Sequence, residues 1–548
     1  MGKAKLQVLR ETTQTYLSTL DKDNSPNLHD IEQELLKQLE IAYLTECSMK
    51  PKNQHWKVPE TLTQPVIADI IAYLYDVHRI SCAGYNADPK HDLLAIYQKE
   101  GPDEGIYVEA TDMVHKLTEQ LNYAADEKFG KDVIHALRTK VPRLIRNDDP
   151  DLVAVNNGIF NYKTKQLTPF EPEIVFLAKS YVDYNPNATS VKLISDDDGT
   201  EWEFDTWLHD LTEDGEITQL LWEVMSAIIR PHVPWDKTVW FYSESGANGK
   251  STLCALMQNL CGDKSYASIP LNAFSEEYML EDLINVTAVI ADENEVNVYI
   301  DKVAKLKAVV TGDRLQINRK YKTPLSFTFK GMVLQCLNGF PKVKDKSESF
   351  YRRNLFVPFL KCFTGGERKY IKREYVKNKD VLEYVLHKVL HSDFYELSTP
   401  ASCTKLLNEY KEFNDPVRQF WAEFESQFVW DLIPFSFLYA LYLEWTKRVN
   451  PSGKIIGRNT FISDLVNGPL KTSTEWFCHD KTAEKHHKGR MDKPEKLIFD
   501  YDLMAWKNPT YRGTDWQKIC KTPIKQPKYR GIERNSAATG NNAKSVNS

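Results

Sequence analysis

The residues from Thr238 to Gly262, TVWFYSESGANGKSTLCALMQNLCG, constrain the fold more than any other stretch of the chain. An apolar strand over Val239–Tyr242 runs into a turn of small residues, and an amphipathic helix follows. Small residues let backbone N–H groups close around a phosphate, and a helix N-terminus adds partial positive charge there. Gly246, Ala247, Asn248, Gly249, Lys250, Ser251 and Thr252 are therefore the candidate ATP-binding loop. Lys250 is placed to reach the β- and γ-phosphates, and the Ser251 hydroxyl to ligand Mg2+. The pattern G-x-x-x-x-G-K-[ST] departs at its first glycine, where Glu244 stands. A chance Gly-Lys-Ser turn is the plain alternative, and the ordered strand, glycines and helix argue against it. Buried strands alternate with helices over residues 201–395, which predicts an α/β domain built on a parallel sheet.

Three further segments of that domain carry candidate chemistry. Thr287 to Ala291 is an apolar strand ending in Asp292-Glu293. Asp292 is positioned to hold the magnesium ion through its water shell, and Glu293 to polarise an attacking water. Met332 to Leu337 is another apolar strand, and it ends at Asn338, whose amide can donate to a γ-phosphate and accept from water at once. A turn asparagine would look the same in isolation. Tyr351-Arg352-Arg353-Asn354 places Arg352 and Arg353 at the mouth of a fourth strand, where an arginine can reach the nucleotide of a neighbouring subunit or form a structural salt bridge.

Taken together and in this order, the four elements resemble superfamily 3 helicases, AAA+ motors of small viruses, phages and plasmids. The resemblance implies a DNA-tracking hairpin between the acidic and the asparagine strands. The segment DRLQINRKYKTPLSFTF fits it: Leu315 and Ile317 alternate on one arm, Leu325, Phe327 and Phe329 on the other. The tip is Arg319, Lys320, Tyr321 and Lys322, three cations and a ring suited to backbone phosphates and base stacking. Residues 153–188 look like the domain that precedes the motor in the poxvirus-type and phage/plasmid primase-helicase family. The aromatic and basic region 404–534, ending in YRGIERN, is similar to that family's winged-helix domain. The fold class implied is an AAA+ P-loop motor flanked by a mixed helical N-terminal region and a winged-helix-like C-terminal domain. The expected divisions are a helical segment over 1–60, an adaptor domain over 61–200, the motor over 201–395, the winged-helix-like domain over 404–534 and a disordered tail over 535–548.

Composition agrees with a globular chain and assigns the charge to one end. Of 548 residues 42% are hydrophobic and 27% charged, and no run approaches the ~18 apolar residues of a membrane span. Residues 451–548 hold 18 Lys or Arg against 10 Asp or Glu, a local +8 in a chain of net −6, which suggests a nucleic-acid contact there or a solvated basic face. Nine cysteines without a CxxC pair read as reduced thiols in a cytoplasmic protein. Ile31, Leu35, Leu39 and Ala42 recur at helical spacing near the start. Acid pairs at Asp149 and Asp151, Asp196 to Asp198, and Asp500 and Asp502 read as solvated carboxylates rather than a primase site. Cys478-His479 and His486-His487 lack the spacing of a zinc site.

The reading is an ATP-dependent DNA helicase that assembles as a homo-oligomeric ring, a hexamer, and acts on single-stranded, fork or origin DNA in replication of a phage, plasmid or mobile element. Replication or regulatory proteins are expected partners, and a membrane is not. The alternatives are a nucleotide-switched origin-binding and melting module, and a regulatory ATPase acting on protein partners.

Overall fold

The spacing of Ile31, Leu35 and Leu39 becomes the buried face of a 21-residue helix, α2 (Leu28–Ser48), capped by the Asn27 side chain, which accepts from Asp30 N. The stripe continues through Tyr43 and Cys47, with Ala42 at its margin, because a 100° step per residue returns position 43 to the buried face. Helix α2 packs with α1 (Lys5–Leu17) on α3 (Gln64–Leu74). The computed structural model describes residues 4–22, 24–295, 299–300, 302–320, 322–364, 368–449, 455–521 and 526–535. It forms two units, Met1–Leu407 and Asn408–Ser548. The tail expected over 535–548 lies, after Asn535, outside the described residues.

Within the first unit, α1 to α3 share a core with a small sheet: β1 (Val77–Ser81), β2 (Leu93–Tyr97), β3 (Tyr107–Glu109) and β4 (Arg143–Ile145), in the order β3-β2-β1-β4. Helices α4 (Thr111–Leu121) and α5 (Glu127–Lys140) lie between β3 and β4 in sequence and bury Val114, Leu117, Leu121, Val133 and Leu137 in that core. Next comes the meander β5 (Leu152–Val155), β6 (Gly158–Asn161) and β7 (Gln166–Thr168), its first turn made by Asn156 and Asn157. Val153, Val155, Phe160 and Tyr162 join the core of the large sheet instead of the small one. The acidic SDDDGT stretch is the turn between β8 (Lys192–Ile194) and β9 (Glu201–Glu203). Helices α6 (Phe204–Asp210) and α7 (Gly215–Ile229) follow, the second buried along most of its length.

The large sheet is parallel throughout. Its strands are β10 (Thr238–Tyr242), β11 (Tyr266–Ala267), β12 (Ala288–Ala291), and, beyond β13 (Tyr299–Ile300) and the hairpin β14 (Arg314–Arg319) and β15 (Lys322–Thr328), β16 (Met332–Leu337). After β17 (Lys342–Val343), β18 (Asn354–Pro358) completes the order β11-β12-β16-β10-β18. Nearly every residue of β10, β12, β16 and β18 is buried, as strands covered on both faces require. Helix α8 (Lys250–Cys261) leaves β10, α9 (Ala304–Val310) precedes the hairpin, α10 (Glu348–Tyr351) precedes β18, and α11 (Lys369–Arg373) and α12 (Lys379–Leu390) follow it.

Helix α13 (Ala401–Asn414) spans the division between the units. The second unit contains α14 (Pro416–Phe424), α15 (Phe435–Val449) and α16 (Arg458–Asn467) with a three-stranded antiparallel sheet, β19 (Leu432–Pro434), β20 (Trp476–Phe477) and, last in the chain, Gly531–Arg534 in the middle. Phe420, Trp421, Phe437, Tyr442, Trp445 and Trp476 fill its core. A Cβ on Gly531 would stand 2.1 Å from Ile433 O, so only glycine fits that strand crossing. Glu495 is buried in this unit, its Oε2 accepting from Val429 N (2.7 Å) and Trp430 N (3.2 Å). Burial pushes its carboxyl up to about 7, against the pull of those N–H groups. No helix among the described residues is long and apolar enough to cross a membrane.

Candidate nucleotide site

Strand β10 lies between β16 and β18, so its end is fixed on both sides: Ser243 N donates to Leu337 O (3.1 Å) and Phe359 N to Tyr242 O (2.8 Å). The loop that leaves it is tied internally. Ser243 Oγ donates to Ser245 O (2.6 Å), and Asn248 Nδ2 donates to the same carbonyl (2.6 Å). Ala247 and Gly249 take left-handed backbone conformations, φ 54° and 81°. At Gly249 a Cβ would meet Leu211 Cδ2 at 2.5 Å, so side-chain-free backbone is needed where the loop turns into α8. The Glu244 carboxylate accepts from Tyr242 OH (3.2 Å) and does not line the cavity beyond, so the departure from the glycine pattern falls outside that cavity.

Lys250 opens α8 with 5% of its surface exposed. Its Nζ donates to Asn338 Oδ1 at 3.1 Å, which joins the ends of β10 and β16 through one hydrogen bond. Burial depresses its pKa, since desolvation disfavours the ammonium. No carboxylate among the described residues forms an ion pair with it. A cavity of about 640 Å³ brings Lys250 together with Gly246 to Thr252, Asp292, Glu293 and Asn338. The two acids and the asparagine, 88 residues from the lysine in sequence, thus meet at the carboxyl ends of β12 and β16.

The remaining cavity residues carry no motif in the sequence: Trp207, Asp210, Leu211, Phe363, Arg368, Ile371 and Lys372. Lys372 Nζ donates to Ser251 Oγ at 3.1 Å, bringing a cation onto the oxygen assigned to magnesium. Its only sequence signal is the four-residue spacing from Arg368, which places both on one side of a helical turn. Asn294, two residues after Asp292, carries no motif either. It is buried, donates from Nδ2 to Gln335 Oε1 (3.0 Å) and Cys336 O (3.1 Å), and accepts from Leu271 N (2.9 Å). Gln335 Nε2 in turn donates to Ile269 O (3.0 Å). This clasp fixes the acidic loop to the asparagine strand, and a polar Gln inside the apolar run VLQCL is the signal that could have revealed it.

Arg352 and Arg353 stand at the opposite end of the sheet. Strands β10 and β18 pair in parallel with Thr238 opposite Asn354, and Thr238 N donates to Arg353 O (2.7 Å). Neither arginine lines the cavity of its own chain.

The hairpin forms as the alternation predicts, with Leu315 opposite Phe327 and Ile317 opposite Leu325. Its tip differs from a solvent-facing basic turn. Arg319, 7% exposed, pairs with Glu109 and with Glu281 (3.4 Å), and Lys322 pairs with Glu109 at 3.2 Å. Burial raises the Glu109 carboxyl, and the Arg319 and Lys322 charges outweigh it, leaving the group below its ordinary value. Lys320 is exposed, and Tyr321 lies outside the described residues. The hairpin also lies against the small-sheet region: Thr328 N donates to Cys82 O (3.1 Å) and Arg314 Nη2 to Ala83 O (3.0 Å).

Among the described residues no group of three or more His, Cys, Asp or Glu side chains is arranged to hold a metal. Asp151 instead accepts from Tyr395 OH (2.7 Å). All nine cysteines are free thiols; Cys254 and Cys336 lie 3.3 Å apart beneath the nucleotide loop.

Three family models match the chain in succession: D5 N terminal like over residues 29–213, a family of unknown function (DUF5906) over 241–353, and Poxvirus D5 protein-like over 412–501. No curated protein matches it. Among solved structures, an apo form of the NrS-1 C terminal region is 12% identical, with 86% of this chain and 99% of that one covered and a TM-score of 0.40. Another apo structure of the same region is 13% identical, covering 79% and 98%, TM-score 0.39. A JCV helicase bound to a thiazolopyridine compound is 15% identical, covering 44% and 63%, TM-score 0.24. D5-type family models thus match the chain on both sides of the parallel-sheet region.

Proposed function

We propose that the chain is an ATP-hydrolysing motor that works as a ring, a hexamer, and unwinds DNA during replication of a phage, plasmid or mobile element. One observation carries this reading: Lys250, buried at the start of α8 with no ion pair to an acid among the described residues, faces Asn338 in a cavity shared with Asp292 and Glu293. A cation so placed is complementary to the β- and γ-phosphates of ATP. The donor set suits magnesium as well, with the Ser251 hydroxyl and the Asp292 carboxylate on one cavity wall; the ion, when bound, would neutralise charge developing on the phosphates.

Each residue then has a distinct task. The left-handed turn at Ala247 and Gly249 shapes the backbone around phosphate. Glu293 orients the attacking water and accepts its proton, and Asn338 holds that water and the terminal phosphate in line. Lys372 leaves Ser251 and moves to the phosphates. Trp207 and Phe363 supply flat apolar surface for the adenine ring. Arg352 and Arg353, outside their own chain's cavity, serve the nucleotide of the next copy. The hairpin tip follows the DNA strand, and the basic second unit, winged-helix-like, adds a second DNA contact.

The ion pairs of Arg319 and Lys322 with Glu109 favour a second reading, an origin-melting switch in which nucleotide binding frees the tip without processive travel. Steady-state ATP hydrolysis with and without single-stranded DNA, in wild type and Lys250→Ala, tests the nucleotide reading. Turnover should rise with DNA and fall at least about 100-fold in the variant. Full turnover in Lys250→Ala removes the assignment, and lysine-dependent turnover indifferent to DNA favours the switch.

A further inference from the structure

A second cavity, of about 310 Å³, lies where α4 and α5 meet the turn of the hairpin. Lys131, His135 and Arg138 line it from α5 at positions i, i+4 and i+7, a single helical face. His115 lines it from α4, and Arg319 and Lys322 from the hairpin. No Asp or Glu is part of its wall; Thr111 and Thr323 contribute hydroxyl groups. Gly130 lets the His115 ring lie against α5, since a Cβ there would stand 2.3 Å from His115 Nδ1.

Arg138 makes the arrangement unusual. It is half-buried, its Nη1 donates to Asp92 O (2.9 Å), and among the described residues it forms no ion pair with a carboxylate. Burial and then the neighbouring Arg319 charge both act against its charged form. Converging guanidinium groups in a recess repel one another and have shed part of their hydration, so an anion rich in acceptor oxygens is the complement that Arg138 lacks. Arg319 pairs with Glu109 and Glu281, Lys322 with Glu109, and Lys131 with Glu127 (2.6 Å), which leaves Arg138 without a carboxylate of its own among the described residues, the Asp92 and Glu109 charges acting on it only from a distance.

We propose that this recess is a phosphate-binding site, filled by a backbone phosphate of a nucleic-acid strand or by the phosphate tail of a free nucleotide. It shares Arg319 and Lys322 with the hairpin reading, yet it turns on Arg138, Lys131 and His135, which lie outside the parallel-sheet region. A strand seated there would touch α5 and the hairpin turn together, and would compete with Glu109 for the two hairpin cations.

The test uses the full chain carrying Lys250→Ala throughout, so that the result stands whether or not the nucleotide-loop assignment is right. Fluorescein-labelled oligo(dT) is titrated at several salt concentrations, and pyrophosphate is followed by thermal shift. Arg138→Gln should weaken oligonucleotide binding about 10-fold. The slope of log K against log salt should fall by about 0.7 for each phosphate that is no longer neutralised. Lys131→Gln, at an exposed position where only a surface pair with Glu127 is lost, should weaken it in the same direction. Glu109→Gln should tighten it, because the competing carboxylate is gone. A pyrophosphate shift that disappears in Arg138→Gln, with oligonucleotide binding unmoved, supports the site with free phosphate as its occupant. If Arg138→Gln and Lys131→Gln change neither readout, the proposal is overturned.

Discussion

Lys250 and Arg319 are both cations almost out of reach of water, 5% and 7% exposed, and their surroundings are opposite. Arg319 meets two carboxylates, Glu109 and Glu281, while Lys250 meets one amide oxygen, that of Asn338. The acids that line the same cavity, Asp210, Asp292 and Glu293, do not pair with it. A buried ion pair is held by the fold; a buried cation without an anion is held at a cost and is complementary to an anion that arrives from outside. Burial alone therefore separates neither structural from functional charge. The identity of the partner does.

The contrast can be broken in several ways. Glu293→Gln tests whether the acids are reserved for water: turnover should fall by about 10²–10⁴-fold with nucleotide binding retained. A variant of near-normal turnover would make Glu293 a bystander. Arg319→Met removes one side of a buried pair and should destabilise the ligand-free chain by roughly 3–5 kcal/mol in denaturant unfolding, because Glu109 and Glu281 lose a counter-charge. Lys250→Met, by the same measurement, should change stability by less than about 1 kcal/mol, since no anion is orphaned. Equal losses in the two variants would erase the distinction.

Glu495 extends the contrast to a buried carboxyl whose hydrogen-bond partners among the described residues are backbone N–H groups. Its carboxyl sits at about 7 when folded, above the ordinary value of 4.5, so the folded unit holds the proton more tightly than the unfolded chain. The stability it contributes is present in full below about pH 4.5 and is lost as pH rises through 7, a change of about 3 kcal/mol. Glu495→Gln should flatten that decline, read by tryptophan fluorescence on thermal unfolding between pH 4.5 and 8. A decline of the same depth in the variant would assign the pH dependence elsewhere.

The parts legible in the sequence are those whose signal is local. Strands β10, β12 and β16 announce themselves as apolar runs, and a strand covered on both faces has no other way to be written. The hairpin arms show period-two alternation, and its inward residues Ile317, Leu325 and Phe327 are buried as that period requires. Asp292-Glu293 and Asn338 could be read as candidates because they stand immediately after such strands. Lys372, Arg368, Trp207 and Phe363 were not, since α6, α11 and the segment between β18 and α11 reach the cavity through the topology and their local residues carry no mark of it. The hairpin tip illustrates the same limit in reverse. Its cations were readable, and the acid that engages two of them, Glu109, lies 210 residues away from Arg319.

The parallel pairing of β10 and β18 has a last consequence. Five paired residues at about 3.3 Å each separate the nucleotide loop from Arg353 by about 16 Å, too far for one copy to bring both ends to a single phosphate. Each molecule is therefore polar, a socket at one face and a pair of arginines at the other. Tiles of that kind join head to tail, and a head-to-tail series closes into a ring or grows as a filament according to the angle at each joint. On the proposed reading, in which these arginines serve the next copy's nucleotide, dilution would disarm the molecule without unfolding it.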